Sequence, residues 1–273
     1  MRSFVPVGPL SIGEIVDRSV TVAVRRWRTL FVLVLIEAIP IGLLRAAIPA
    51  RAPFHLLWLF LDVLLVALLY PAAVLTAMAP SPPPPGAMLK AAVPRFGASL
   101  VTFLLSATWV ALWLLVSAFA GGLAMLPFLA VGKGIWALIA AGVVANGTGL
   151  VLLPRAGLVG GTMLPIVILE RCSPWTALFR ARQRVNHVGF LRSSLLGLAL
   201  FAVSVAPLLV MSSAVDALIV ATKIEGLQAL DELLSDALSL GLGIVLSTVA
   251  ALDLRARFEG ADLEAELDAP APS

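Results

Sequence analysis

The sequence has little charge, one cysteine and two histidines, and each shortage excludes a class of protein. Of its 273 residues, 19 are Lys or Arg and 16 are Asp or Glu, which is too little polar surface to cover a soluble globule. A single cysteine excludes a disulfide framework, and a side-chain metal site usually needs more Cys and His than these. The composition therefore predicts a chain that resides in lipid and binds no metal or other cofactor.

The sequence instead contains long hydrophobic runs. Hydrophobic residues make up 60% of the chain, the mean hydropathy is +1.04, and apolar runs approach the ~20 residues that cross a bilayer as a helix. We predict an all-α integral membrane protein with about six transmembrane helices, arranged as three hairpins that each follow a basic interfacial amphipathic stretch. The expected spans lie near 29–48, 54–79, 99–120, 135–170, 190–212 and 233–254.

Two of the basic stretches carry helix-start signals. Residues 1–28 form the first, and Ser11 and Glu14 have the spacing of a capping box. Ser173 and Pro174 are the expected N-cap and first residue of another helix, whose apolar residues Trp175, Leu178, Ala181 and Val185 we expect to face lipid. The cations expected at the cytoplasmic leaflet are Arg25, Arg26, Arg28, Arg180, Arg182 and Arg184.

The connections between spans also have recognisable compositions. A polyproline stretch begins at Ser81 and precedes a short basic piece that Pro94 interrupts. Glycines and prolines break the apolar run from 121 to 161, so we expect two crossings there, the second broken, with four crossings as the alternative. The tail over 255–273 is acidic and is expected to be disordered at its end.

The basic residues predict the orientation of the chain. The segments 1–28, 80–98, 171–192 and 253–273 contain 14 of the 19 Lys and Arg residues. Cationic segments stay on the cytoplasmic side, so both termini are expected inside. The isoelectric point of 9.6 is explained by this topology and does not indicate nucleic-acid binding.

Four ionisable side chains fall within the expected spans, where charge is costly and a functional role is the default hypothesis. They are Glu37, Arg45, Asp62 and Arg155. The rise per residue of a helix places Arg45 and Arg155 at nearly the same depth in the membrane as Asp62. We therefore predict that Asp62 pairs with one of them in the bundle interior. Such a pair could simply fix helix register, which leaves Glu37 as the better candidate for a protonatable site.

Three segments together resemble a known family: 9–18 (PLSIGEIVDR), 164–170 (LPIVILE) and 253–263 (DLRARFEGADL). They are similar to a bacterial polytopic membrane family named after the membrane domain attached to some glycerophosphodiester phosphodiesterases. The resemblance implies a six-helix protein of the plasma (inner) membrane, and the phosphodiesterase activity is not implied because no such soluble domain is present. The residues that carry it are Ser11, Gly13, Glu14, Asp17, Glu170, Asp253 and Arg255.

No spacing in the sequence matches a zinc site, a nucleotide-binding loop or a nucleophile elbow. We therefore expect a non-enzymatic accessory or scaffold protein that binds anionic lipid at the cytoplasmic leaflet or a membrane-protein partner. A transporter of a small or lipid-like substrate is the alternative, and it predicts that Glu37 and Asp62 matter most. An enzyme acting on phospholipid head groups is a third class.

Overall fold

The computed structural model describes residues 9–47, 52–81, 83–222 and 227–268, and their regular structure is entirely helical. The all-α prediction is therefore confirmed for these residues. The helices are α1 (Ile12–Ala47), α2 (Ala52–Met78), α3 (Pro85–Ala92), α4 (Phe96–Ala130), α5 (Gly134–Glu170), α6 (Pro174–His187), α7 (Phe190–Thr222) and α8 (Leu227–Asp268), with a short 3-10 turn over Val93–Arg95.

Both helix-start signals are confirmed. The backbone N–H of Ser11 donates to the Glu14 carboxylate at 2.6 Å, and the N–H of Glu14 donates to the Ser11 hydroxyl at 3.2 Å. The Ser173 hydroxyl accepts from the N–H of Thr176 at 3.2 Å, and Pro174 is the first residue of α6. These contacts satisfy N–H groups that have no acceptor inside the helix, so α1 and α6 begin where the sequence indicates.

Helix α1 covers both the expected interfacial stretch and the expected first span. It runs without a break through position 28 and through Pro40, over 36 residues. No glycine or proline occurs between Ile15 and Ala38, so nothing in that sequence ends the helix. The first amphipathic stretch is therefore the beginning of a long helix rather than a separate element.

Helices α4 and α5 form one long antiparallel hairpin, which is the two-helix solution for this region rather than the four-crossing alternative. The expected break in the second helix is wrong, because α5 is continuous for 37 residues despite Pro154 and Pro165. Its glycines permit close packing instead. A Cβ at Gly160 would lie 2.7 Å from the Ser106 hydroxyl oxygen, and one at Gly197 of α7 would lie 1.9 Å from the carbonyl oxygen of Pro154.

Several helices have the length and apolarity of membrane spans. Within the described ranges these are Phe60–Met78, Pro85–Ala130 and Gly134–Glu170. A fourth results if Pro174–His187 and Phe190–Ala206 are counted as one span. The chain bends by 118° between these two helices, beside Gly189 (φ +83°). The fold therefore fits a helical membrane protein, whereas six spans and three equivalent hairpins stay predictions.

The core lies where α8 packs against α1 and α7 and where α5 packs against α6 and α7. Ile15, Val74, Met163 and Leu246 are among its fully buried side chains. A polar contact crosses it, since the Tyr70 hydroxyl lies 2.7 Å from the Ser247 hydroxyl and links α2 to α8. The packing of α8 brings Asp253 and Arg257 beside Leu10, which precedes α1.

Candidate functional site

A buried carboxylate on α8 joins the start of the described chain to α7. The Asp253 side chain is fully buried, and its Oδ1 accepts a 2.7 Å hydrogen bond from the backbone N–H of Leu10. Its Oδ2 lies 3.0 Å from Nε of Arg257 and 3.4 Å from a terminal nitrogen of Arg192. Both guanidinium groups also donate to the carbonyl oxygen of Leu10. We call these four residues the Asp253 clasp.

Local structure places each member of the clasp, and tertiary packing brings them together. Asp253 and Arg257 are four residues apart and so share one face of α8. Arg192 lies in the first turn of α7, immediately after the bend at Gly189, and Leu10 precedes the capping box. Two cations surround one carboxylate, which leaves the clasp with one surplus positive charge.

An open cavity of about 320 Å³ lies beside the clasp. Arg192 and Arg257 line it together with His187 at the end of α6 and Gly260 on α8. The His187 ring packs edge-on against Phe258, with ring centroids 5.5 Å apart. The cavity therefore combines three basic side chains with an opening to the outside.

A second ion cluster joins α5 to α6. The two carboxylate oxygens of Glu170 each lie 2.5 Å from a guanidinium nitrogen, one of Arg184 and one of Arg180. The Arg184 side chain is only 7% exposed, whereas that of Arg180 is 45% exposed. The hydrogen bond to Glu170 raises the pKa of Arg180. Arg184 therefore neutralises a carboxylate inside the fold and does not belong to an outward-facing basic surface.

The apolar face of α6 does not cover lipid as the sequence analysis expects. Leu178, Ala181 and Val185 are buried in the protein core, because the bundle offers an apolar surface to which this face can pack. The outward face of α6 instead presents Trp175 and Phe179, which are 61% and 63% exposed, and the neighbouring Arg182 is exposed as well. Exposed aromatic and cationic side chains on one helix are typical of a membrane interface.

The arginines of α1 also divide into buried and exposed ones. Arg26 is buried, and its guanidinium donates to the carbonyl oxygen of Ala79 at 2.5 Å. Arg25 and Arg28 are exposed, and so is Trp27 at 55%. Helix α1 therefore uses one arginine to attach the end of α2 and presents the others outward.

Of the four ionisable side chains expected within the spans, the structure describes those of Asp62 and Arg155. The guanidinium of Arg155 donates to the Asn186 side-chain oxygen at 2.6 Å and lies 5.5 Å from the centroid of the Phe190 ring. Arg155 therefore lies at the junction of α6 and α7, and among the described side chains it makes no ion pair with the half-buried Asp62. The side chains of Glu37 and Arg45 lie outside the described residues, so an Arg45–Asp62 pair stays a prediction.

The residues that carry the family resemblance have distinct structural positions. Ser11 and Glu14 form the capping box, Glu170 binds two arginines and Asp253 is the centre of the clasp. Arg255 lies 2.6 Å from Glu259 in an exposed pair. The remaining two, Gly13 and Asp17, are exposed on the first turns of α1.

Sequence reasoning did not single out Arg192 or Arg257 as site residues. The one signal available was the four-residue spacing between Asp253 and Arg257, which is that of a helical ion pair. Within the described residues, no group of three or more His, Cys, Asp and Glu side chains could hold a metal ion. The thiol of Cys172 is half-buried, and burial raises its pKa, which opposes formation of a reactive thiolate.

Comparisons of the chain with protein-family models, with curated proteins and with solved structures find no match. The resemblance to the bacterial membrane family therefore stays a prediction.

Proposed function

We propose that this chain is a six-span protein of the plasma membrane with both termini in the cytoplasm. In this proposal it acts as a non-enzymatic accessory or scaffold protein, and its cytoplasmic face binds anionic lipid or a membrane-protein partner. The membrane assignment is supported by the long apolar helices, two of which are α4 and α5. The orientation is supported by the concentration of Lys and Arg in four segments of the sequence.

The observation that carries the lipid-binding part is the outward face of α6. Trp175 and Phe179 are one helical turn apart and exposed, and Arg182 is exposed beside them. Aromatic rings favour the headgroup level of a bilayer, and each arginine near an anionic surface contributes about 1 kcal/mol. Because Arg180 and Arg184 are both held in ion pairs with Glu170, Arg182 is the cation on this helix that we expect to contact anionic headgroups.

The lipid preference is tested by reconstituting the purified protein in nanodiscs of phosphatidylcholine with or without phosphatidylglycerol. We expect phosphatidylglycerol to raise the apparent melting temperature, and Arg182→Gln to reduce that rise. Arg255→Gln is the matched control, because it removes the same charge from a side chain that Glu259 already neutralises. An equal response of both variants to phosphatidylglycerol would contradict a role for the outward face of α6.

The orientation has its own test with single-cysteine variants in which Cys172 is replaced by serine. A cysteine at position 133, between α4 and α5, is expected to react with an impermeant maleimide in intact cells. A cysteine at position 273 is expected to react only after lysis. The reverse pattern would overturn the proposed topology.

A further inference from the structure

The cavity beside the Asp253 clasp has the charge and the donors of an anion site. Its lining residues include Arg192, Arg257 and His187, and among the described side chains the carboxylate bound to these arginines is that of Asp253, which is fully buried. Among the described side chains of α8, the other carboxylate near this turn is Glu259, which is paired with Arg255. Among the described side chains, the two arginines and Asp253 therefore leave one surplus positive charge beside the cavity.

The two arginines also have hydrogen-bonding capacity left. A guanidinium has five N–H donors. Within the described residues, Arg192 uses one terminal nitrogen for both Asp253 and Leu10, and Arg257 uses Nε for Asp253 and one terminal nitrogen for Leu10. Nε of Arg192 is buried and has no acceptor there. Donors on two different helices can therefore converge on one ligand that has several acceptor oxygens. A phosphate group can accept from more of these donors than a carboxylate can.

The clasp holds these donors in place before any ligand arrives. Arg257 is bound through two nitrogens, Nε to Asp253 and a terminal nitrogen to Leu10, so its planar group has a defined orientation. One terminal nitrogen of Arg192 donates to both Leu10 and Asp253 and attaches that guanidinium to the same two acceptors. A site whose donors are already ordered loses less conformational entropy on binding. The cavity volume of about 320 Å³ is at the small end of ligand pockets, enough for a phosphate group with a small substituent.

We propose that this cavity binds a phosphate group, supplied either by the headgroup of an anionic phospholipid or by a soluble phosphate ester. Arg192 and Arg257 bind the phosphate oxygens, and the buried Asp253 positions both arginines. The lipid source rests on the proposed function, because it requires the cavity to face the cytoplasmic leaflet, whereas binding of a soluble phosphate ester does not.

Gly260 provides a variant that tests the cavity without removing a member of the clasp. It lines the cavity, and a Cβ at this position would meet no atom within 4 Å. Gly260→Asp places a negative charge at the site, and Gly260→Asn adds nearly the same volume without the charge. Gly86→Asp is the control for global charge, because Gly86 is exposed on α3, does not line the cavity and also has nothing within 4 Å of its Cβ.

The first arm measures binding of glycerol 3-phosphate to the protein in neutral detergent by thermal shift, at constant ionic strength with chloride as reference. At about ten times its dissociation constant, the ligand is expected to raise the apparent melting temperature by about 3–6 °C. Gly260→Asp is expected to weaken binding about tenfold or more through charge repulsion, while Gly260→Asn and Gly86→Asp bind as the parent protein does.

The second arm measures, by native mass spectrometry, retention of phosphatidic acid from nanodiscs that also contain phosphatidylcholine. Sensitivity to Gly260→Asp in both arms supports a general phosphate site, and sensitivity in the lipid arm alone identifies a headgroup site. If Gly260→Asp and Gly260→Asn behave alike in both arms, the proposal is wrong. That result would leave the proposed function intact, since its own test depends on Arg182 and not on this cavity.

Discussion

Replacing Asp253 by Asn removes the charge at the centre of the clasp and keeps the shape of the side chain. The amide oxygen can still accept from the backbone N–H of Leu10, but Arg192 and Arg257 lose their counter-ion. In the parent protein the carboxylate is fully buried, so the structure compensates its desolvation with two guanidinium groups and one backbone donor. The substitution leaves two cations facing a neutral group.

The expected cost follows from burial. Breaking a buried ion pair by removing one partner costs about 3–5 kcal/mol. The arginines are 26% and 25% exposed, so water can solvate part of their charge and we expect the lower end, about 3 kcal/mol, for Asp253→Asn. For a chain of this size that corresponds to a fall of roughly 6–12 °C in the melting temperature.

The assay is thermal unfolding of the purified protein in neutral detergent, followed by tryptophan fluorescence. The control is Arg255→Gln on the same helix, which breaks an exposed pair at four-residue spacing that is worth only about 0.3–0.5 kcal/mol. A melting temperature for Asp253→Asn within about 1 °C of the control would refute the claim that the clasp stabilises the fold.

The interaction between Asp253 and Arg257 can be tested with a double variant in the same thermal unfolding assay. If Asp253 and Arg257 act as one unit, the double variant Asp253→Asn, Arg257→Gln should lose less stability than the two single losses added together, because the second change removes an uncompensated charge. Strict additivity would contradict a direct interaction between these side chains.

Three further outcomes are expected. Gly197→Ala should lower the free energy of unfolding by about 1–3 kcal/mol, because its Cβ would collide with the Pro154 carbonyl. Gly142→Ala should be neutral or stabilising by about 0.5–1 kcal/mol, because a Cβ there meets nothing within 4 Å. Thermal unfolding of both variants checks this. Cys172 should react with maleimide at pH 7 more slowly in the folded protein than in the denatured protein, and equal rates measured by mass spectrometry would contradict its burial. Glu14 has a pKa held below its ordinary value of 4.5 by hydrogen bonds from the N-capping serine, so its stabilising contribution is present above that value and is lost as pH falls through the lowered pKa. The difference in melting temperature between the parent protein and Glu14→Gln should therefore shrink below pH 4.5, and a constant difference from pH 7 to pH 3 would contradict this assignment.

Local chemistry was predictable from the sequence because it depends on near neighbours along the chain. The capping box at Ser11 and Glu14 and the N-cap at Ser173 occur as their spacing indicates. Each needs only a side chain within three residues of the N–H group that it binds. The same holds for the all-helical character of the described residues, which follows from long apolar runs without strand-like alternation.

Continuity of the helices was harder to predict. Pro154 and Gly160 indicate a break when only the sequence is considered, yet α5 is continuous through both. At Gly160 the missing Cβ leaves room for Ser106 of α4, and at Pro154 the missing Cβ of Gly197 allows α7 to approach. Whether a glycine breaks a helix or permits a contact depends on what lies opposite it, which the local sequence does not contain.

The sequence by itself determined that this protein is helical and apolar, where two of its helices begin, and which segments hold its positive charge. Only the tertiary structure decided which arginines face outward and which neutralise a carboxylate inside the fold. Arg182 and Arg184 are two residues apart on one helix, yet one is exposed and the other is bound to Glu170. The clasp has the same origin, because Leu10 and Asp253 are 243 residues apart and meet only when α8 packs against α1 and α7. The energy of a charge depends on its distance from opposite charge and from water, and these distances exist only in the folded chain.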